Sequence, residues 1–280
     1  LNITQIVDSL VEAEKVPQEN AIQTKIDTNT TSISAIGEVK SALSKLSSSL
    51  AGLVGKTSLG VSSNSTAVTA TITDPSKATD FNSSMTISAL ATGQTLAFTG
   101  YASTTSIVGE GSLQLERGDW SSGSFVASAT KSSSSLAITS TDTLASLRDK
   151  INILNYGVTA SIFGAGDGTY NLVLKSGEGK ENALRITATE SPAGSGLSRI
   201  DNTSSNSSKQ KIAGADATFV VDGMTLTRSS NSITDLFEGY TVDLVSTTST
   251  TANITASVDE NLATANLQSL VTAINAAKEV

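Results

Sequence analysis

The chain contains no cysteine and no histidine in its 280 residues. Without cysteine it can form no disulfide and offers no thiolate nucleophile. With both residue types missing, the common zinc sites cannot be assembled, and a Ser-His-Asp triad is excluded as well. Aromatic residues make up only 4 % of the chain and proline occurs three times. A core so poor in large rings must rest on Val, Ile, Leu and Ala, helped by interfaces with other chains. Positive charge is also in deficit: 18 basic residues face 26 acidic ones, for a net charge of −8. Nucleic acid and anionic membrane both require a basic patch, so neither is expected as a partner. No apolar run approaches the ~20 residues of a membrane-spanning helix. The chain opens on Leu1 without the basic flank and apolar segment of a cleavable secretory signal.

Serine and threonine fill the space left by these absences, at roughly three residues in ten. Paired carboxylates remain available for acid–base chemistry, but Asp and Glu come one at a time among turn residues. The sequence therefore reads as a non-enzyme with no catalytic, cofactor or metal site. Its composition suits an exported surface protein and fits a cytosolic one equally.

The first fifty residues carry helical periodicity. In "ITQIVDSLVEAEK", Ile3, Ile6, Val7, Leu10 and Val11 form one stripe with acids opposite. Pro17 lacks an N–H and is expected to break or restart the helix. Ile22, Ile26, Ile33 and Ile36 follow, with Asn29 at the intervening position, and then Val39, Leu43, Leu46, Leu50 and Leu53. That spacing is a heptad seam with one irregularity near Ile36. A helix from Pro17 to Leu53 is about 55 Å long; it has no core of its own and needs a partner. The closing stretch, "DENLATANLQSLVTAINAAKEV", supplies one, with Leu267, Leu270, Ile274 and Ala277 on a stripe. It shows no helix terminator and is expected to lie inside a longer helical segment.

Between the helical ends the period changes to two. "SLGVSSNSTAVTATITD" and "SSMTISALATGQTLAFTG" read as strands, as do "GSLQLERGDW", "GSFVASATK" and "SSLAITST", separated by Gly/Ser turns. A helix interrupts at "DTLASLRDKINILN", capped by Asp142 or Thr143, with Leu144, Leu147, Ile151 and Leu154 as its buried stripe. "GVTASIFGAGDGTYNLVLKS" is a hairpin; its "GAGDG" resembles a phosphate or calcium loop but precedes a strand and lacks calcium-loop acid spacing. "NALRITATE" is a further strand, and "SPAGSGLSRIDNTSSNSSKQK" a low-complexity connector. In "FVVDGMTLTRSSNSITDLFEG", Asp222-Gly223 makes a two-residue turn, with Phe219 and Val221 facing Met224 and Leu226. The second half is expected to close a single helical turn before the strand "YTVDLVS".

The fold class that follows is α+β and multi-domain: a coiled-coil-like helical leg formed by both chain ends, and two β-rich head domains, one inserted in the other. The boundaries are 1–55 with 257–280 for the leg, 56–105 with 212–256 for the first head domain, and 106–211 for the insertion, which holds one helix. Two residues stand out as candidate contacts between subunits. Arg228 leaves the hairpin as a long exposed cation. Trp120, the sole tryptophan, sits at a turn, where its amphipathic ring suits a structural plug or an interface.

This layout and these segments resemble the flagellar filament-capping, hook-associated protein 2 (FliD) family. "LNITQIVDSLVEAEKVPQENAIQTKI" and "ISAIGEVKSALSKLSSSLAGL" look like its N-terminal helix. "ADATFVVDGMTLTRSSNSITDLFEGYTVDL" is similar to its most recognisable block, here with Asp222, Gly223, Arg228, Ser229, Ser230, Asn231, Gly239 and Leu244. Residues 141–190 look like a module shared with flagellins, whereas 106–140 match only in style. The resemblance implies an extracellular homo-oligomeric ring of roughly four to six subunits at the flagellum tip. Such a cap promotes folding and insertion of exported flagellin, prevents its loss, and is exported by the flagellar type III apparatus without a cleaved signal peptide. Other implied partners are the hook-associated junction proteins and an export chaperone that binds a C-terminal region absent here. Two other readings fit the composition: an adhesin-like binding module for host glycan or mucin, and a hook–filament junction subunit. The Arg228 block separates the cap from the latter.

Overall fold

The computed structural model describes residues 2–53, 58–203 and 208–279, with backbone only for 52 and 53. The expected boundary at 55 and 56, the side chain of Leu53 and the connector residues 204–207 lie outside the described residues. Helix α1 (Ile3–Leu53) opens the chain, followed by β1 (Leu59–Ser63), β2 (Val68–Ile72), β3 (Phe81–Ala89) and β4 (Gly93–Tyr101). Strands β5 (Gly111–Asp119), β6 (Val126–Ala127) and β7 (Ser134–Ile138) precede α2 (Leu144–Ile153). Next come β8 (Val158–Gly164), β9 (Tyr170–Glu178), β10 (Ala183–Glu190) and β11 (Gln210–Ile212). Strands β12 (Ala217–Val221), β13 (Met224–Arg228), β14 (Ser232–Ile233), β15 (Tyr240–Leu244) and β16 (Ala252–Val258) lead to α3 (Glu260–Lys278). The chain divides into a helical unit, residues 1–60 with 258–280, and a β-rich unit, residues 61–257.

In the helical unit α1 and α3 contact each other. Asp259 caps α3, its Oδ1 accepting from the N–H groups of Asn261 and Leu262 at 2.8 and 3.2 Å. The contact is made mainly by alanines, with one leucine from each helix. Ala42 is buried and Leu46 half-buried on α1, while Ala263, Asn266, Leu270, Ala273 and Ala277 are the half-buried positions of α3. Of the expected stripes, Leu46, Leu270 and Ala277 lie at the contact, whereas Val39, Leu43 and Leu50, with Leu267 and Ile274, remain exposed. Alanine lets two helix axes approach closely, and a narrow contact there turns the broader aliphatic rows outward. Pro17 does not interrupt α1, which runs 51 residues through it, about 76 Å. The carbonyl of Ala13, which would accept a bond from residue 17, loses its helical donor. The exposed surroundings of both residues let water take that place.

The β-rich unit has two hydrophobic cores. In the first, a five-stranded sheet in the order β1-β16-β3-β12-β13 shares a core with a three-stranded sheet, β14-β15-β2. Met85, Ile87, Phe219 and Ile254 from one sheet and Val68, Ile233 and Val242 from the other form it. The second core lies among the sheet β11-β4-β9-β8, the sheet β10-β5-β6 with β7 also on β5, and helix α2. Thr143 caps α2 through a reciprocal capping box with Ser146, and Leu144, Leu147 and Ile151 are buried.

Three expectations change here. The switch from the first core to the second falls between Ala91 and Leu96, earlier than the expected 105/106 boundary. β4 pairs with β9 and β11, so Leu96, Phe98 and Tyr101 belong to the second core. The expected helical turn after Arg228 is absent: Ser232 and Ile233 pair with Asp243 and Val242 as β14, because the buried Ile233 is worth more in the core than in an isolated turn. The connector after β10 is not only linker, since its 3-10 turn Leu197–Ile200 buries the side chains of Leu197 and Ile200 in the second core.

Candidate assembly site around the Arg228 loop

The Asp222-Gly223 turn has positive φ at both residues, 47° and 84°, which gives the type I′ geometry that twists with the strands. Its register pairs Phe219 with Leu226 and Val221 with Met224. Asp222 Oδ1 accepts from the backbone N–H of Ser84 at 2.7 Å and from its hydroxyl at 3.0 Å, tying the turn to β3. The Ser84 backbone bond is the main cause that holds the Asp222 carboxyl below its usual range.

Arg228 ends β13. Its Nε donates to Asp235 Oδ1 at 3.0 Å and its Nη1 to the carbonyl of Thr227 at 2.9 Å. The Arg228 side chain is 32 % exposed and that of Asp235 64 %. The hydrogen bond from Arg228 lowers the Asp235 pKa. Arg228 thus orders the loop after β13 from within its own chain, and part of its guanidinium surface stays open.

The next three residues act on another part of the unit. The Asn231 amide pairs with Ala91 much as a strand neighbour would: Oδ1 accepts from Ala91 N at 2.8 Å, and Nδ2 donates to Ala91 O at 2.9 Å. Nδ2 also donates to Glu178 Oε1 at 3.0 Å, and the Asn231 backbone N–H to Glu178 Oε2 at 3.0 Å. The Ser230 hydroxyl adds a bond to the same oxygen at 3.2 Å. Glu178 ends β9 in the second core, whereas Ala91 and the β14 region belong to the first. At the adjoining Gly179, with φ +91°, a Cβ would stand 2.7 Å from Ser229 Cβ and 2.8 Å from Ser229 O, so only glycine fits.

The same crossing is reinforced close by. Thr92 and Ala215 exchange backbone bonds at 2.8 and 3.0 Å, and the Lys180 N–H donates to Asp216 Oδ1 at 2.9 Å. Gln94 is fully buried. Its Oε1 accepts from Leu184 N at 2.7 Å, its Nε2 donates to Gln210 Oε1 at 2.6 Å, and its backbone N–H donates to Ser176 Oγ at 2.9 Å. Sequence reasoning missed Gln94, Glu178 and the dual role of Asn231. A single amide in a Ser-rich loop carries no periodic signal, and its partners lie far away in the chain.

Trp120 is half-buried at the end of β5. Its Nε1 donates to the carbonyl of Leu184 at 2.9 Å and its ring lies 5.0 Å from that of Phe125. It lines a shallow cavity with Ser121, Gly123, Ala183, Gln210, Ala213 and Gly214. Arg228 and Trp120 share no contact. The "GAGDG" segment is the β8–β9 hairpin loop, in which Asp167 Oδ1 accepts from the N–H and hydroxyl of Thr169 at 2.9 and 2.7 Å. Among the described residues, no three His, Cys, Asp or Glu side chains are grouped to hold a metal ion.

Residues 1–94 match the family model for the flagellar hook-associated protein 2 N-terminus, and residues 214–279 the model for its C-terminus, together more than half of the chain. The chain belongs to the flagellar hook-associated protein 2 family. The C-terminal match begins at the stretch that holds β12, the I′ turn, Arg228 and Asn231. The A-type flagellar hook-associated protein 2 of Pseudomonas aeruginosa is 29 % identical over 280 residues, covering 93 % of this chain and 56 % of that protein. The flagellar hook-associated protein 2 of Escherichia coli K12 is 30 % identical over 244 residues, covering 84 % of this chain and 49 % of that protein. The chain therefore spans about half the length of these curated relatives. The crystal structure of the D1-D2-D3 domains of the flagellar cap protein FliD from E. coli superposes with a TM-score of 0.71 at 25 % identity, covering 86 % of this chain and 70 % of that one. As in that family, helical chain ends in contact flank a β-rich, multi-domain middle, and the fold is α+β.

Proposed function

We propose that this chain is part of the cap subunit at the tip of a bacterial flagellar filament, where copies of it assemble and guide exported flagellin into place. The observation that carries this reading is the match to the D1-D2-D3 domains of a flagellar cap protein, over 86 % of the chain. The physical character of the molecule supports a building block. The hydrogen-bonded clusters around Arg228, Asn231 and Gln94 hold strands, turns and the crossing between cores. The helical unit keeps long aliphatic rows on its surface, Ile22, Ile26, Ile33, Ile36 and Leu43 among them, which suit contact with other helices. We assign Arg228 and Trp120 to the surfaces through which copies meet, in a ring of about four to six subunits by family resemblance. The two head domains are taken as the residues around the two cores. Flagellin and the hook-associated junction proteins are its partners in this reading, and its place is outside the cell, reached through the flagellar export channel.

The test is genetic complementation. Deletion of the full-length gene in its own bacterium is expected to abolish swimming and release flagellin monomers into the medium, and a plasmid copy should restore filaments. Filaments of normal length in the deletion strain would overturn the proposal.

A further inference from the structure

On this acidic chain, three cations line one cleft. Arg199, Lys209 and Lys211 surround it with Ser208, Thr99 and Phe98, and Ala97 and Tyr101 also line it; among the described residues no carboxylate contributes to the lining. The cleft lies within the second core's part of the β-rich unit, between β4, the 3-10 turn Leu197–Ile200 and β11. It is separate from the Arg228 loop.

Arg199 and Lys211 make their contacts to neutral groups, and Lys209 also feels the charge of Asp201. Arg199 lies 4.3 Å over the ring of Tyr101, and its Nη2 donates to the carbonyls of Thr99 and Gly100, both at 3.1 Å. Lys209 sits 5.5 Å over the Phe98 ring and donates to the carbonyl of Asp201. Lys211 donates to the carbonyl of Ser208 at 2.8 Å. Carbonyl and ring contacts orient a cation without cancelling its charge. Among the described residues, neither Arg199 nor Lys211 comes within ion-pair distance of a carboxylate. Asp201, whose charge acts on Lys209, is one negative charge against three positive. Its carboxylate already accepts from Ala188 N, Thr203 N and the Thr203 hydroxyl. Tyr101 is 2 % exposed, and its hydroxyl has no hydrogen-bond partner among the described residues.

From this arrangement we infer that the cleft binds an oxyanion of the sulfate or phosphate type, with Arg199 and Lys211 as its exposed ligands and Lys209 as the half-buried charge behind them. The ring faces of Tyr101 and Phe98 are already covered by Arg199 and Lys209, so the site recognises charge and tetrahedral oxygens, with no free ring for a sugar to stack on. Sulfate esters on a polysaccharide and free inorganic ions carry the same group, and both are admitted.

The test is an amide NMR titration of the protein at constant ionic strength, with sodium sulfate, a sulfated oligosaccharide and sodium chloride run separately. The expected result is saturable shifts confined to residues near Thr99, Arg199, Lys209 and Lys211 with the two sulfate ligands, and none with chloride. The Arg199→Gln/Lys211→Gln double variant should bind at least about tenfold more weakly, since loss of one charged contact is worth about that factor. Because Arg199 also bonds the Thr99 and Gly100 carbonyls and covers Tyr101, a second variant separates binding from folding. Lys211→Gln alone, which leaves those contacts in place, should keep the melting temperature and still bind more weakly. Tighter binding of the oligosaccharide than of the free ion would mark the polymer-borne group as the natural ligand. Equal binding would mark the free ion. Shifts that follow chloride, or sulfate binding that the double variant leaves unchanged, would overturn the site.

Discussion

Asp142 has a side chain 8 % exposed, and four donors converge on it. Lys150 Nζ is 2.5 Å from Oδ2, the Thr139 N–H 2.7 Å from the same oxygen and its hydroxyl 3.0 Å, and the Ser146 hydroxyl is 2.9 Å from Oδ1. Burial pushes this carboxyl up, but the bonds from Lys150, Thr139 and Ser146 outweigh it and hold it far below the usual carboxylate range. A folded-state pKa below the unfolded value gives stability that is complete above about pH 4 and lost as pH falls through the folded value. Asp142→Asn should therefore lower the urea midpoint at pH 7 and flatten its decline between about pH 4 and pH 2. An acid limb identical to that of the parent would refute the assignment. At the crossing between cores, Asn231→Ala leaves the N–H and carbonyl of Ala91 without their amide partner. A loss of about 2–3 kcal/mol is expected in urea denaturation. Gly179→Ala should also destabilise, by more than about 1 kcal/mol, because it strains a positive φ as well as meeting Ser229. Asp142 was legible in sequence as a cap candidate, and the Asp222-Gly223 turn as a turn. Asn231 was not, because what it does depends on Ala91 and Glu178, which no local pattern brings near.

At the level of elements, period alone located α2, the β8–β9 hairpin and nearly every strand. It could not say which sheet β4 joins, since a two-residue alternation fits a place beside β3 as well as one beside β9. Nor could it choose the edge of α1 that meets α3. Of the heptad row only Leu46 is half-buried, and Ala42, which lies off that row, is the buried residue of the contact, because close approach favours small side chains. Ala42→Asp puts a charge in the closest part of that contact. It should reduce the helical signal by more than the change in one residue's propensity, because a 19-residue α3 is marginal without its neighbour. Leu43→Asp, at an exposed position one residue on, should leave the ellipticity of the isolated chain nearly unchanged. Equal losses in both variants would show that the contact edge is wrong.

The whole molecule has one tryptophan, and it reports on the second core alone, through Trp120 and Phe125. Ellipticity at 222 nm is dominated by α1 and α3. With a helical unit and a β-rich unit, the two signals should melt in separate transitions, as multi-domain chains do; superimposable curves would contradict this. Assembly is tested at Arg228. The exposed ion pair with Asp235 is worth at most about 1 kcal/mol, so Arg228→Glu should shift the melting temperature little. If Arg228 lies between subunits, the variant should lose rings in mass photometry and lose motility. A large drop in melting temperature would instead show that the loop cannot hold without the pair, and unchanged rings, motility and stability would make Arg228 a surface charge.

Thr92 and Ala215 are bonded to each other where the chain leaves the first core and where it returns. Strands β3 and β12 on either side of that point are already antiparallel neighbours, with Thr218 opposite Ala89. To the first core, everything from residue 93 to residue 214 is therefore the loop of one hairpin, and a short tight turn would close the same two strands. Because the entropy of closing a loop rises only slowly with its length, such a junction tolerates a guest of almost any size. The outer module could then be lengthened or shortened at little entropic cost, and what would have to be remade are the bonds of Glu178 and Lys180 to Ser230, Asn231 and Asp216.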